Sequence, residues 1–344
     1  MNSSAAIPRL VTALAMGAII SAILVGCEAE RVEGYSPGEC SDSIDNDSDG
    51  LIDCDDSSCS GSPDCQDPGD DDDSASPCPD AMSAQGIHLT RICAGTFEMG
   101  CTSGQSNCQP EESPAHLVTL SRDFWLGSTE VTQGQWQALI NNNPASNSAC
   151  GSECPVEQIN WFEAVSLANA VSAAEGLTEC YSLSDCSGTV GAGLSCASVE
   201  VNAPQGSPYD CEGYRLPTEA EWEFAARGGT DLLYAGSDSV DEVGWHDENS
   251  GASSHPVSEK NANSAGLWDM SGNVWEWTWD WYDPTYYTPE PATDPLGANS
   301  AEMRSYRGGA WYAPKEFLRV SVRNHSHPDS TSNGHGVRLA RTAN

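Results

Sequence analysis

The chain has little positive charge. Of its 344 residues, 14 are Lys or Arg and 51 are Asp or Glu, which gives a formal net charge of −37 at pH 7. Proteins that hold nucleic acid electrostatically present a basic face, and polybasic membrane patches need clustered Lys and Arg. The composition therefore argues against nucleic acid as a partner and against a polybasic membrane patch.

Cysteine is missing from the C-terminal part of the chain. All fifteen cysteines lie at or before Cys211, so the last 133 residues contain none. Thiolates are the soft ligands that Cu(I) prefers, and this part of the chain cannot supply them. A Gly-x-Ser-x-Gly motif is also missing, which argues against hydrolysis by a Ser/His/Asp triad.

Long apolar runs are limited to the N-terminus. Arg9 supplies a short basic region, and residues 11–26 are apolar or small, too few to cross a bilayer comfortably. The run ends in Leu-Val-Gly-Cys, which resembles the lipobox of bacterial lipoproteins. We therefore predict a signal peptide at residues 1–26, lipidation of Cys27 and a cell-envelope location, with Glu28 favouring the outer membrane. The alternative is an ordinary secretory signal in which Cys27 is incidental.

The remaining fourteen cysteines suffice for seven disulfides in an oxidising compartment. Short spacings favour the pairs Cys101/Cys108, Cys150/Cys154 and Cys186/Cys196, and Cys180/Cys211 is a candidate pair that would enclose the last of these. Sequence does not fix the connectivity. The candidates are Cys40, Cys54, Cys59, Cys65, Cys78, Cys93, Cys101, Cys108, Cys150, Cys154, Cys180, Cys186, Cys196 and Cys211.

Acidic residues concentrate before the globular part. After a tether at residues 27–38, residues 39–65 resemble an EF-hand-type calcium loop, with alternating aspartates, a glycine turn and Asp56 in the twelfth place. Residues 66–87 form a predicted acidic linker. The alternative for residues 39–65 is a solvated acidic segment. The predicted ligands are Asp45, Asp47, Asp49, Leu51, Asp53 and Asp56.

Residues 88–344 are predicted to form one α+β domain with few helices. Thr132 and Thr218 each open a Thr-x-x-Gln/Glu capping box, and Asn160 with Glu163 caps a third helix. Residues 275–281 place four tryptophans at alternate positions, and Glu276, Thr278 and Asp280 fall between them. That period of two is typical of a half-buried strand. Because each indole can bury a large apolar area, we predict that the stretch is a core strand.

A series of motifs in order resembles the sulfatase-modifying-factor, or formylglycine-generating-enzyme, family. The resemblance implies a C-type-lectin-like fold with sparse regular structure. The motifs are AGTFEMG at residues 94–100, EVT at 130–132, YRLPTEAEWE at 214–223, GNVWEW at 272–277, RGGAW at 307–311 and GVRLAR at 336–341.

The same resemblance bears on activity. Oxidases of that family convert a substrate cysteine to formylglycine with O₂ and Cu(I), using two cysteines that follow the Arg-Gly-Gly motif. Here those positions are Ala313 and Leu318, and Ala310 replaces a common serine. We therefore expect no catalytic residues for this reaction and no copper or iron.

The GNVWEW turn forms a structural calcium site in family members. Gly272, Asn273, Val274 and Glu276 match its ligands, and residues 243–250 match a second site poorly. The alternative is that Asn273 caps the turn and Glu276 pairs with an arginine. A histidine group at residues 325–335 is a weak candidate for iron or zinc.

Two functions remain. The favoured one is a calcium-stabilised binding module that recognises a protein, peptide or glycan, with the aromatic residues 279–287 exposed for stacking. In the alternative interpretation of this segment, those aromatics belong to the core and the ligand surface lies elsewhere. The alternative is a cysteine-independent non-haem metal oxidase or a factor that matures secreted proteins.

Overall fold

The computed structural model describes residues 80–343. The predicted signal peptide, tether and calcium-loop module, with Cys27 and Asp45–Asp56, lie outside the described residues. Within residues 80–343, no helix is both long and apolar enough to cross a membrane. The first strand starts at Ala81, inside the predicted linker of residues 66–87, so the folded sheet begins earlier than that boundary.

Three short sheets and a hairpin make up the β-structure of residues 80–343. The strands are β1 Ala81–Ala84, β2 Ile87–Ile92, β3 Gly95–Met99, β4 His116–Leu120, β5 Phe124–Gly127, β6 Tyr181–Ser187, β7 Ser195–Val201, β8 Trp275–Trp281, β9 Ala292–Thr293, β10 Arg304–Arg307, β11 Asn324–Ser326, β12 His335–Gly336 and β13 Ala340–Thr342. Their orders are β1-β2-β5-β13, β11-β10-β8-β12 and β3-β4-β9, while β6 and β7 pair separately. The first sheet therefore joins the earliest described strand to the last.

The helices follow the capping signals. They are α1 Gln133–Ile140, α2 Trp161–Ala174, α3 Glu219–Arg227 and the single turn α4 Val240–Val243. Thr132, Asn160 and Thr218 each accept a hydrogen bond from the backbone N–H three residues on, and each receives the reciprocal bond of a capping box. The three predicted helices are confirmed, and so is the α+β class.

β8 is more buried than the alternation predicted. It lies between β10 and β12, and Glu276, Thr278 and Asp280 are as buried as Trp275 and Trp277. The prediction of a core strand is therefore confirmed, but both of its faces are covered, whereas the alternation indicated one. Polar side chains can occupy this inner face because buried partners satisfy them; Thr278, for example, hydrogen-bonds to Ser305 of β10.

Disulfides stabilise the loop-rich parts. Cys101–Cys108, Cys150–Cys154, Cys180–Cys211 and Cys186–Cys196 are bonded, which confirms the pairs suggested by spacing. Cys93 is also disulfide-bonded. Among residues 80–343 no cysteine is a free thiol, because each of the nine described is in a disulfide.

Candidate functional site

Residues 308–318 carry the two positions at which the family resemblance places cysteines. Gly308 and Gly309 have φ of 98° and 87°, which L side chains rarely adopt, so the chain turns sharply after β10. A Cβ on Gly309 would lie 2.6 Å from Cγ of Leu318. The segment therefore folds back on itself, and Leu318 packs directly on the glycine turn.

Ala313 and Leu318 lie inside a small apolar cluster. They are 5% and 0% exposed and pack with Tyr234, Val240 and Val243. We call these five residues the apolar plug. Neither aliphatic side chain offers an electron pair to a metal ion or a nucleophile to a substrate. Ala310 is also fully buried, in the main core.

A cavity of about 600 Å³ lies beside the plug. Leu233 and Tyr234 line this cavity, and the same two residues belong to the plug or pack against it. We call the cavity the polar groove. It is lined by Thr102, Ser103, Gly104, Gln105, Ser106, Asn107, Asp231, Leu233, Tyr234, Asp238, Lys315, Glu316 and Arg319.

One wall of the groove is held by a buried ion pair. Arg319 donates two hydrogen bonds to Glu112, at 2.7 and 2.8 Å. Burial opposes ionisation of Glu112, but the hydrogen bonds from Arg319 and Ser321 hold its pKa below the ordinary value. The carboxylate therefore stays charged and fixes the arginine in place.

The opposite wall is a short disulfide loop. Cys101 and Cys108 close it, with their Cα atoms 5.8 Å apart. Arg227 of α3 donates to the carbonyl of Gly100 and to the hydroxyl of Thr102. Both walls are thus anchored to the core, as a preformed binding groove requires.

The rim of the groove mixes charge with aromatic surface. Asp231, Asp238, Lys315 and Glu316 are exposed. Phe317 is 42% exposed and lies in the same turn. Such a surface suits a partner with basic and apolar side chains.

The GNVWEW turn is built around Glu276. Its carboxylate accepts hydrogen bonds from Nε and Nη2 of Arg338 at 2.7 to 3.0 Å, and from the indole of Trp222 at 2.6 Å. All three side chains are fully buried. These contacts are those of the alternative interpretation, in which Glu276 pairs with an arginine.

Asn273 caps the same turn. It has φ of 59°, its side-chain oxygen accepts from the N–H of His255, and its amide donates to Glu130 at 2.8 Å. Glu130 also accepts from the N–H of Val274 at 2.9 Å. Burial, together with the charges of Asp269 and Glu276, raises the pKa of Glu130 well above its ordinary value.

Asp269 is a residue of this turn that the sequence analysis missed. One carboxylate oxygen accepts from the N–H of Ser258 at 2.7 Å, whereas Oδ1 is buried without a hydrogen-bond partner. Burial raises the pKa of Asp269 to about 6. A buried, unpartnered carboxylate oxygen beside Glu130 and Glu276 is a hard donor of the kind that Ca²⁺ takes. An acidic residue three positions before Gly272 was the available signal.

The histidine group does not converge on one point. His335 is buried against Trp277 and Tyr306, and burial lowers its pKa to about 4. His325 and His327 are exposed. The three rings therefore occupy different environments.

The expectation that residues 279–287 expose their aromatics is wrong for two of them. Tyr282 and Tyr287 are 8% and 5% exposed, because the guanidinium of Arg323 lies over both rings. Trp279 and Trp281 are partly buried. Tyr282 and Tyr287 therefore lie in the core, as in the alternative interpretation of this segment.

Several predicted residues cannot be placed. Cys27, the six loop ligands of residues 45–56, and Cys40, Cys54, Cys59, Cys65 and Cys78 lie outside the described residues. The poorly matching calcium segment at residues 243–250 contains His246, which hydrogen-bonds to Asp241 at 2.9 Å.

Similarity to known proteins extends over almost all of the described residues. The family described as "Sulfatase-modifying factor enzyme 1-like domain" matches residues 76–343. The chain is 32% identical over 245 residues to the chaperone protein LppX of Paenibacillus barcinonensis, covering 65% of this chain and 82% of that protein. It is 30% identical over 311 residues to the formylglycine-generating enzyme of Streptomyces coelicolor, covering 78% and 94%.

Solved structures show the same fold. Treponema denticola variable protein 1 is 29% identical, with a TM-score of 0.64, over 78% of this chain and 100% of that one. CarF is 28% identical, with a TM-score of 0.56, over 76% and 100%. The architecture of strands and helices described above is therefore shared with these proteins.

Proposed function

The chain belongs to the sulfatase-modifying factor enzyme 1-like domain family, and from that premise we propose that it is a binding module that has lost formylglycine-generating chemistry. The observation that carries this proposal is the apolar plug at Ala313 and Leu318. A groove lies beside the plug, and Ala313 and Leu318 in the plug offer no nucleophile and no soft metal ligand.

The names of the relatives are compatible with such a change of role. One protein similar over most of its length is named a chaperone and another a formylglycine-generating enzyme. Function resides in sites rather than in folds, so membership of the family does not by itself imply oxidation. The site here supports recognition.

The ligand that best fits the polar groove is an extended peptide segment of another envelope protein. Asp231, Asp238 and Glu316 line the groove and would attract basic side chains. Phe317 does not line the groove, but it is exposed in the same turn as Glu316 and would contact apolar side chains of a segment that extends past the groove. The groove volume of about 600 Å³ accommodates several residues of such a segment. A lipid on Cys27 would hold the module at the outer membrane.

Calcium is proposed as a structural ion at the GNVWEW turn. The support is the unpartnered Oδ1 of Asp269, beside two more buried carboxylates and a single guanidinium. Gly272, Val274 and Asn273 would add main-chain or amide oxygens, as Ca²⁺ sites commonly use. The ion would supply positive charge that Arg338 alone does not.

The alternative of a cysteine-independent metal oxidase lacks such support. Within residues 80–343, no three His, Cys, Asp or Glu side chains converge so that they alone could hold a metal ion. The calcium proposal differs because it relies on main-chain and amide oxygens as well.

Turnover of a peptide tests the proposed function. A Cys-x-Pro-x-Arg peptide incubated with the full chain, copper and O₂ should keep its mass, because Ala313 and Leu318 supply no thiolates to hold Cu(I). Mass spectrometry checks this, with the A313C/L318C double variant as the matched comparison. Conversion of the thiol to an aldehyde by the wild-type chain would overturn the proposal.

A further inference from the structure

A second cavity, of about 270 Å³, has no lining residue in common with the polar groove. Four of its ten lining residues are aromatic, from α2 and β8, namely Trp161, Phe162, Trp279 and Trp281; Pro328 also lines it. Residues 196–199 of β7 complete the lining. Arg304 is the only charged residue among those that line it. We call it the aromatic cavity.

The guanidinium of Arg304 is enclosed by indole rings. Its Cζ lies 3.5 Å from the ring centroid of Trp281, 3.8 Å from that of Trp161 and 4.9 Å from that of Trp279. Arg304 is only 3% exposed, and one terminal nitrogen, Nη1, donates to the carbonyl of Trp279. Ring faces attract a cation, but they carry no net charge.

No carboxylate pairs with this arginine among residues 80–343. The six other buried arginines, at positions 215, 227, 307, 319, 323 and 338, each form an ion pair with a glutamate. Nε of Arg304 is buried without a hydrogen-bond partner, and no described residue accepts a hydrogen bond from Nη2. Burying a charge without a counter-charge is costly.

Asp280, the carboxylate whose charge acts on Arg304, does not supply the missing counter-charge. Asp280 accepts a hydrogen bond from the N–H of Glu219 at 2.8 Å, and burial raises its pKa well above the ordinary value. Burial also lowers the pKa of Arg304 to about 9. The arginine thus lacks a fixed anion within the described protein.

The free groups of Arg304 define the chemistry of a ligand. Nε–H and one N–H of Nη2 lie side by side on a guanidinium, and together they match the two oxygens of a carboxylate. A phosphate dianion would bring more charge than a single guanidinium offsets in an apolar enclosure. The indole walls favour a flat apolar body attached to the acid group.

We propose that the aromatic cavity binds an aromatic monocarboxylate, whose acid group receives two hydrogen bonds from Arg304 and whose ring contacts the tryptophans. A free aromatic acid and the C-terminal residue of a peptide ending in Phe share this chemistry. The site goes beyond the proposed function and does not depend on it, because the polar groove is a separate cavity.

Binding is measured by tryptophan fluorescence of the full chain. The probes are phenylacetate, its neutral amide, the peptide Gly-Gly-Phe and the same peptide with an amidated C-terminus. We expect saturable binding of at least one acid and binding of its amide weaker by about tenfold or more, since charge-assisted hydrogen bonds are lost. Preference for the peptide acid would identify a chain terminus as the source, and preference for phenylacetate a free acid; both support the site.

Two variants locate the binding. Arg304→Met should weaken acid binding by about tenfold or more, because it keeps the apolar stem and removes the charge. If that variant fails to fold, Ala197→Trp is the second test. Ala197 is exposed on β7 and lines the cavity. A large ring at this position should fill the cavity and weaken acid binding, while Arg304 stays intact.

Arg341→Met is the matched control. Arg341 also lies over an aromatic ring, with Cζ 5.6 Å from the centroid of Tyr214, but it does not line the cavity, so acid binding should be unchanged. The proposal is overturned if neither acid binds saturably, if acid and amide bind equally, or if Ala197→Trp binds the acid as the wild type does.

Discussion

Arginine side chains inside this domain are matched with glutamates almost one for one. Seven of the chain's 14 basic residues are buried arginines, and six of them pair with a glutamate. Removing one partner of such a pair typically costs about 3–5 kcal/mol, because the other charge stays buried and uncompensated. The pairs therefore fix the position of segments. Arg304 and Asp269 lack such a pair, and each buries a polar atom without a hydrogen-bond partner, which a ligand or an ion would supply.

Asp269→Asn tests the calcium proposal at this scale. The full chain should bind one calcium fewer than the wild type, because Oδ1 of Asp269 loses its charge, and chelation should lower the thermal midpoint less than in the wild type. Metal analysis after dialysis gives the count. Asp185→Asn, at an exposed aspartate, is the control and should keep the full count. An unchanged count in Asp269→Asn would refute the turn site.

The helices and disulfides of this domain could be predicted because their sequence signals are local. Capping boxes at Thr132, Asn160 and Thr218 gave all three long helices, because each box satisfies backbone groups within four residues. Short cysteine spacings indicated three disulfides in the same local way, and the fourth, Cys180–Cys211, encloses one of them. The fold itself was predicted from the resemblance of the motifs to those of the family.

What could not be predicted depends on contacts between distant residues. The burial of Glu276 rests on Arg338, 62 positions away, and that of Asp280 on the N–H of Glu219. Alternation along β8 cannot show that both faces are covered, since the covering groups come from other elements. The cage around Arg304 was missed for the same reason: Trp161, Trp281 and Arg304 meet only in the folded chain.

Leu318→Ala tests the apolar plug as an element. Leu318 is 0% exposed and packs on Gly309, so truncation leaves a cavity and should lower the free energy of unfolding by about 2–5 kcal/mol. Chemical denaturation measures this. Phe317→Ala, one residue earlier and 42% exposed, should change it by less than about 1 kcal/mol. Equal effects of the two variants would show that the plug is not packed as described.

At the scale of the whole molecule, the negative charge of the chain bears on how it could be held at a membrane. Of the 12 basic side chains in residues 80–343, seven are buried, and the net charge of the chain is −37. The surface of this part of the chain therefore exposes few cations. Such a surface is repelled by anionic membranes beyond contact distance and is screened by salt. Attachment to a membrane would then depend on a covalent lipid rather than on the protein surface.

Cys27→Ser tests that dependence. In bacteria that process lipoproteins, the wild-type chain should incorporate labelled palmitate and sediment with the membrane fraction, whereas the variant should do neither, because it lacks the lipidated thiol. Cys93→Ser controls for general effects of removing a cysteine and should still be labelled. Membrane association of Cys27→Ser without label would show that another segment anchors the chain.

The contact between Leu318 and Gly309 also bears on how reversible the proposed change of role is. Cysteine is smaller than leucine, and the plug residues Tyr234, Val240 and Val243 now pack around the larger side chain. Restoring a thiol at position 318 would leave a void costing about 1–3 kcal/mol before any copper could bind. Later mutations that pack the plug more tightly would raise this cost in stability further. The packing around Leu318 would therefore make it harder for the chain to regain oxidase activity by mutation.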